Sequence, residues 1–184
     1  MLEGEIPARG SATVTWNLDI SDGGAPPAGA PTRAPAGVVI SQEDDWNFFR
    51  EGDICRIDFD PTASNGFAAW MSGETYEWAT QWLLKAARFE AKMPYDVYVR
   101  VKVVAAPGKT AGGAFTAGVW DTQNGVSLAD AGVHLDQIKS GQWQVFKVGR
   151  IMPADGVYVW LAPTTSLGNI KEMWTDCVWC VPGR

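Results

Sequence analysis

The chain has 184 residues, of which 46% are hydrophobic, and this is enough for one domain with a sizeable core. Its formal charge is −6, from 15 basic and 21 acidic residues, and no run of lysine and arginine stands out. Nucleic acid and anionic membrane surfaces are therefore not expected as partners, because both need clustered cations. No apolar stretch approaches the ~20 residues that span a bilayer, so membrane insertion is not expected either.

Residues 11–20, SATVTWNLDI, alternate between apolar and polar side chains and predict a half-buried β-strand. The apolar members are Ala12, Val14, Trp16, Leu18 and Ile20. Residues 21–37 are dominated by proline and glycine and predict an extended tether. We therefore divide the chain into a strand segment (1–20), the tether (21–37) and one domain (38–184).

The domain from residue 38 reads mostly as short strands separated by Gly, Pro, Asn or Asp. In YDVYVRVKVVA, four valines share one face, while Tyr98, Arg100 and Lys102 share the other. Regularly punctuated strands of this kind predict an all-β, antiparallel β-sandwich. One segment is ambiguous: in ETYEWATQWLLKAARFEAKM a 3.6-residue period fits a helix, and a two-residue period fits a strand.

The three cysteines are Cys55, Cys177 and Cys180. The CVWC spacing resembles a metal or redox motif, but a zinc site needs about four ligands and the only histidine, His134, is distant in sequence. We expect buried thiols, or one disulfide that joins Cys55 to Cys177 or Cys180.

Six stretches occur in an order that resembles one known module: ASNGFAAWM, YEWATQW, YDVYVRVKV, FTAGVWD, WQVFKVG and DGVYVWLAP. Over roughly residues 38–182 the chain resembles the galactose-binding-like, jelly-roll domains that are appended to bacterial secreted glycoside hydrolases and surface proteins. The resemblance implies a jelly-roll sandwich, a strand over 76–83 and a short helix within 84–92. It also implies a polysaccharide or glycan as partner and an extracellular or cell-surface location.

Ten tryptophans raise the question of which rings pack in the core and which bind a ligand. Because burying an aromatic ring is strongly favourable, most should be core. We assign Trp16, Trp70, Trp82, Trp143 and Trp179 to the core. Rings beside polar loops are the candidates for ligand binding. These candidates, with their polar neighbours, are Trp78, Trp120, Asp121, Asn124, Asn169 and Trp174.

In sugar-binding jelly rolls a structural calcium often joins the first strand to the last, so the resemblance suggests calcium here. Glu43, Asp60 and Asp176 are the expected ligands, since calcium prefers carboxylate and carbonyl oxygens. A solvated acidic face is the alternative interpretation of the same residues. No catalytic residue is assigned, because the sequence contains no Gly-x-Ser-x-Gly nucleophile motif for which His134 could act as the general base.

The sequence therefore predicts a non-catalytic carbohydrate-binding module. The alternative is a structural subunit of a surface filament, in which residues 11–20 pair with a neighbouring subunit and form a homo-polymer. The N-terminal decapeptide MLEGEIPARG lacks the apolar centre of a signal peptide. Either the protein is intracellular or a leader is absent from this sequence.

Overall fold

A computed structural model describes residues 37–75, 80–163 and 167–183. The predicted strand over residues 11–20 and the candidate ring Trp78 lie outside the described residues. No helix within the described ranges is long and apolar enough to cross a membrane. The strands are β1 (Val39–Gln42), β2 (Asn47–Phe48), β3 (Cys55–Phe59), β4 (Phe67–Ser72), β5 (Thr80–Leu83), β6 (Tyr95–Ala105), β7 (Gly113–Asp121), β8 (Val126–His134), β9 (Trp143–Ile151), β10 (Val157–Pro163) and β11 (Ile170–Pro182).

The strands form two antiparallel sheets that pack face to face, so the predicted all-β sandwich is confirmed. Sheet A has the order β3-β4-β11-β6-β9, and β1 also pairs with β11. Sheet B has the order β2-β5-β10-β7-β8. The two sheets meet closely at β8 and β9, where a Cβ on Gly149 would lie 2.5 Å from the Ala129 methyl group.

The core lies between the sheets and follows from the two-residue period of the strands. On β6 the side chains of Val97, Val99, Val101 and Val103 are at most 2% exposed. The side chains between them point to the outer face of sheet A and are half-buried. Alternation along one strand thus separates the core from an outer face that carries charged and aromatic groups.

The ambiguous segment contains a strand followed by a short helix. Strand β5 pairs with β10, and this places Trp82 opposite Val159 in the core, where Trp82 is 2% exposed. A 3-10 turn over Ala86–Arg88 follows. The short helix predicted within 84–92 and the described part of the strand are confirmed, whereas 76–79 lie outside the described residues.

The three cysteines are buried thiols that no disulfide joins. Burial raises the pKa of Cys55 to about 11 and that of Cys180 to about 12, and it raises the pKa of Cys177 as well. The three thiols are therefore protonated at neutral pH, and Cys55 donates a hydrogen bond to the Phe49 carbonyl at 3.0 Å. Of the two alternatives, the structure selects buried thiols.

At the β6–β9 pair, Asp96 accepts two parallel hydrogen bonds from Arg150, each 2.9 Å long. It also forms an ion pair with Lys147 at 3.0 Å. The Arg150 hydrogen bonds hold the pKa of Asp96 at about 2, below its ordinary 3.8. The ionised carboxylate therefore stabilises the fold above about pH 4, and this contribution is lost as the pH falls through 2.

We expect Asp96→Asn to lower the melting temperature by a few degrees at pH 7, since ion pairs at the surface contribute about 1 kcal/mol or less. The difference from wild type should shrink between pH 4 and pH 2, as thermal unfolding monitored by circular dichroism would show. Asp136→Asn, at an exposed carboxylate in a 3-10 turn, is the control. A difference that does not change with pH would contradict the assignment.

Candidate functional site

The outer face of sheet B carries three aromatic rings on neighbouring strands. Tyr158 on β10 lies opposite Trp120 on β7, which lies opposite Ser127 on β8. Next to this row, Trp160 lies opposite Gly118, which lies opposite Asp130. Alternation places the residues of β10 and β7 on one face, and a β-bulge in the β7–β8 pairing brings Ser127 and Asp130, which are three residues apart, to the same surface.

These rings line a groove of about 320 Å³, hereafter the aromatic groove, formed by Trp120, Ser127, Asp130, Tyr158 and Trp160. A glycine shapes its floor. A Cβ on Gly118 would lie 2.6 Å from three atoms of the Trp160 indole, so this ring lies flat against the backbone of β7. In this orientation the opposite face of the indole is turned away from the sheet. The Trp160 side chain is half-buried.

The rings of the groove make no aromatic or cation–π contact in the part of the chain that the structure describes. Within the described ranges, no cation and no second ring contacts Trp120, Tyr158 or Trp160. The polar groups of the groove are Ser127 and Asp130, and the Ser127 hydroxyl donates to the Asp130 carboxylate. An apolar floor with a few oriented polar groups is typical of small-molecule sites.

The charged side chains on the strands of sheet B are acidic. None of the five strands of sheet B contains a lysine or an arginine. Beside the groove, the Asn124 amide donates to Asp121 at 2.6 Å, and this hydrogen bond lowers the pKa of Asp121. The lining of the groove therefore contains one carboxylate, that of Asp130, and no lysine or arginine.

The outer face of sheet A carries the other half-buried tryptophans of the described ranges. Five successive strands contribute one residue each to a cation–tryptophan row: Arg56, Trp70, Trp174, Lys102 and Trp143. The Arg56 guanidinium lies 4.0 Å from the centre of Trp70. The Lys102 ammonium lies 4.8 Å from Trp174 and 4.9 Å from Trp143. Cations therefore flank these rings, so the row is already engaged in internal cation–π contacts.

Two core assignments were wrong. Trp70 and Trp143 are half-buried on the outer face of sheet A, where Trp70 donates to Glu172 at 3.1 Å and Trp143 donates to Thr62 at 2.9 Å. Alternation predicts which residues share a face, but it does not say whether that face is the inner one. Trp82 and Trp179 are buried as predicted, at 2% and 4% exposed.

The predicted ligand-binding residues are not brought together in one place. Trp120, Asp121 and Asn124 lie at the sheet B face, while Trp174 lies in the cation–tryptophan row of sheet A. Asn169 is 9% exposed and donates to the Gly113 carbonyl at 3.1 Å, so it anchors a loop. Sequence reasoning missed Tyr158, Trp160, Ser127 and Asp130. The alternation of DGVYVWLAP, with valines facing opposite to Tyr158 and Trp160, was the signal for two of them.

The three predicted metal ligands are buried acids: Asp60 belongs to the loop of residues 60–66, and Glu43 and Asp176 accept hydrogen bonds from that loop. A β-bulge between Thr175 and Cys177 makes Asp176 an extra residue in its strand, where it pairs with Arg100 and accepts from the Ser64 hydroxyl. Asp60 pairs with Lys102. Burial alone would raise the pKa of Asp60, but the hydrogen bonds from Lys102 and Thr62 lower it below the ordinary value.

Glu43 is the least satisfied of these three acids. It is 3% exposed, and Asn65 donates to its Oε1 at 2.7 Å, whereas its Oε2 has no hydrogen-bond partner. Burial raises the pKa of Glu43 to about 7, and the nearby Asp176 adds to that rise. Among the described residues, no group of three or more His, Cys, Asp or Glu side chains is arranged to hold a metal ion.

No protein-family model and no curated protein matches the chain in sequence. The fold does match solved structures. One is the CBM22-1 xylan-binding domain of Paenibacillus barcinonensis Xyn10C, with 16% identity, a TM-score of 0.50, and 82% of this chain and 99% of that chain covered. Another is a xylan-binding domain from CBM 22, with 13% identity, a TM-score of 0.52, and 80% and 96% covered.

Multidomain proteins also contain this fold. A Podospora anserina GH26-CBM35 mannanase matches with 12% identity and a TM-score of 0.52 over 80% of this chain. The insecticidal crystal protein Cry2Aa matches with 12% identity and a TM-score of 0.53 over 79% of this chain. This chain spans about a quarter of the length of such matches, 28% and 21% respectively. The chain therefore shares the β-sandwich fold of these solved carbohydrate-binding modules.

Proposed function

We propose that this domain is a non-catalytic module that binds a neutral glycan in the aromatic groove of sheet B. The observation that carries the proposal is the posture of Trp160, whose indole lies flat over Gly118 with one face turned outwards. Trp120 and Tyr158 lie beside it without covering cations in the described residues. The solved xylan-binding domains of the same fold support the proposal by analogy.

The chemistry of a sugar ring explains why this groove suits it. One face of a pyranose presents mostly C–H groups, which pack against an aromatic ring, while the hydroxyl groups around its rim need hydrogen-bond partners. Trp160 offers the apolar surface, and Asp130 and Ser127 offer polar atoms at the edge of the groove. Aromatic anchors with a few polar neighbours carry most of the binding energy in such sites.

The charge distribution favours a neutral glycan over an acidic one. A uronic acid carboxylate in the groove would face Asp130, and the strands of sheet B contribute no lysine or arginine to offset it. The arginines and lysines of the strands lie in sheet A instead, where Arg56, Arg100 and Lys102 pair with carboxylates or contact rings. We therefore infer that the module distinguishes neutral from acidic glycans by their charge.

Affinity electrophoresis tests this function. The protein is run through native gels that contain xylan, mannan or mixed-linkage glucan, and through matched gels with polygalacturonate or alginate. We expect at least one neutral polysaccharide to slow migration and the acidic ones to leave it unchanged. Retardation by the acidic polymers alone, or by none of the five, would contradict the proposal. A bound glycan would also be consistent with an extracellular location, which we propose on the same basis.

We further propose that the three buried acids can hold one structural calcium ion through Glu43, with Asp176 beside it. The unpartnered Oε2 of buried Glu43 is the observation in favour, since a cation would supply its missing partner. Asp60 and Asp176 are already paired with Lys102 and Arg100. Of the three expected ligands, Glu43 therefore fits best.

A free calcium concentration of about 100 times the dissociation constant should raise the free energy of unfolding by about 2.7 kcal/mol. For a domain of this size we expect the melting temperature to rise by about 5–10 °C relative to a chelator. Glu43→Gln should abolish the rise, and Asp44→Asn, at the neighbouring exposed residue of the same 3-10 turn, should preserve it. Equal melting temperatures in calcium and chelator would refute the site.

A further inference from the structure

One side of the sandwich is left uncovered by the described residues. The sheets meet at β8 and β9, so β3 and the two-residue strand β2 lie at the opposite side. Strand β3 is the terminal strand of sheet A and pairs with β4. Along the described chain, no other strand pairs with the stretch 56–59. An unpaired strand edge is a template for another strand, and native proteins usually cover it.

Apolar side chains are exposed at this edge. Cys55 is fully buried on the inner face of β3, but Ile57 and Phe59, which follow it on that face, are 40% and 63% exposed. Phe67, opposite Phe59 on β4, is 46% exposed, and the two rings contact edge to face at 5.8 Å. The strand of sheet B at this side, β2, is only two residues long.

We propose that residues 11–20 of this same chain dock as an added strand along the open edge of β3 and cover Ile57, Phe59 and Phe67. The alternating pattern of this segment supplies a matching apolar face, in which Val14, Trp16 and Leu18 would continue the inner face of sheet A. Its opposite face carries Thr13, Thr15 and Asn17, which suit the outer, solvated side.

The geometry of the tether allows this docking within one chain. The described chain begins at Gly37, whose Cβ position lies 2.9 Å from Pro182 at the end of β11, so the tether leaves from sheet A itself. Residues 21–36 can extend to on the order of 50 Å at ~3.3 Å per residue. A domain of this size has a radius of gyration of about 16 Å, so the tether can reach any edge of it.

Hydrogen–deuterium exchange on full-length variants tests the docking. Val14→Asp with Trp16→Asp places two charges on the docking face. Thr13→Asp with Thr15→Asp places the same charges on the opposite face and is the matched control. We expect the first variant to speed amide exchange in peptides covering 55–59 by at least about tenfold, because the edge opens. The control should exchange like wild type.

Two results would overturn the proposal. Exchange at 55–59 that is the same in wild type and in Val14→Asp/Trp16→Asp would show that the segment does not cover β3. A wild-type protein that is dimeric by light scattering, and monomeric in that variant, would show that the strand docks on a second copy instead. A monomeric wild type that responds only to substitutions on the docking face would support docking within one chain.

Discussion

Trp160→Ala is expected to weaken glycan binding at least about tenfold and to leave the fold intact. The ring lies on the outer face of sheet B, so removing it takes away the stacking surface without opening a core cavity. Truncation of a central aromatic anchor typically weakens the binding free energy by about 2 kcal/mol or more, which corresponds to about 30-fold in affinity. Isothermal titration calorimetry with a neutral oligosaccharide chosen by electrophoresis would measure the loss.

Trp174→Ala is the matched control, because it removes a half-buried tryptophan from the opposite sheet face. It should keep the wild-type affinity within about twofold. A large loss with Trp174→Ala and little loss with Trp160→Ala would move the site to sheet A. Gly118→Ala adds a geometric test: its Cβ would displace the Trp160 indole, from which it would lie 2.6 Å, so affinity should fall although the tryptophan remains.

Asp176→Ala is expected to cause the largest loss of stability. The Asp176 side chain is fully buried, pairs with Arg100, and accepts hydrogen bonds from the Ser64 backbone and hydroxyl. Removing one partner of a buried ion pair leaves the other charge uncompensated and typically costs about 3–5 kcal/mol. The melting temperature should fall by about 10 °C or more.

Asp58→Ala is the control for this prediction, since Asp58 pairs with Arg56 at the surface and both side chains are more than a third exposed. Such pairs contribute about 1 kcal/mol or less. The double variant Arg100→Met/Asp176→Leu should recover part of the loss, because it removes both charges. A loss for Asp176→Ala no greater than that for Asp58→Ala, in urea titrations, would contradict the role of the buried pair.

The sandwich could be predicted because the sequence features that indicate its strands lie within short stretches of the chain. The alternation on β6 and the turn residues between strands are properties of short stretches, and they hold in the structure. The segment containing Trp82 was harder, because its local period fits a helix while its pairing with β10 requires a strand. There the resemblance to known modules supplied what local propensity could not.

The site could be predicted only in part, because it depends on strand pairing. Trp120 was identified from the polar loop that follows it, but its neighbours Tyr158 and Trp160 come from a strand nearly 40 residues later. Trp70, Trp143 and Trp174 meet in one row only through β11 and β6. Which rings keep an uncovered face is decided by where Arg56 and Lys102 lie, and the sequence does not show this.

The central claim, that the groove of sheet B is the glycan site, is tested most directly by NMR of the tryptophan indole N–H groups. The signals are assigned with single Trp→Phe variants, and the neutral oligosaccharide is titrated into the labelled protein. We expect the Trp120 and Trp160 signals to shift, and the Trp70, Trp143 and Trp174 signals to stay in place. Shifts confined to Trp70, Trp143 and Trp174 would contradict the claim.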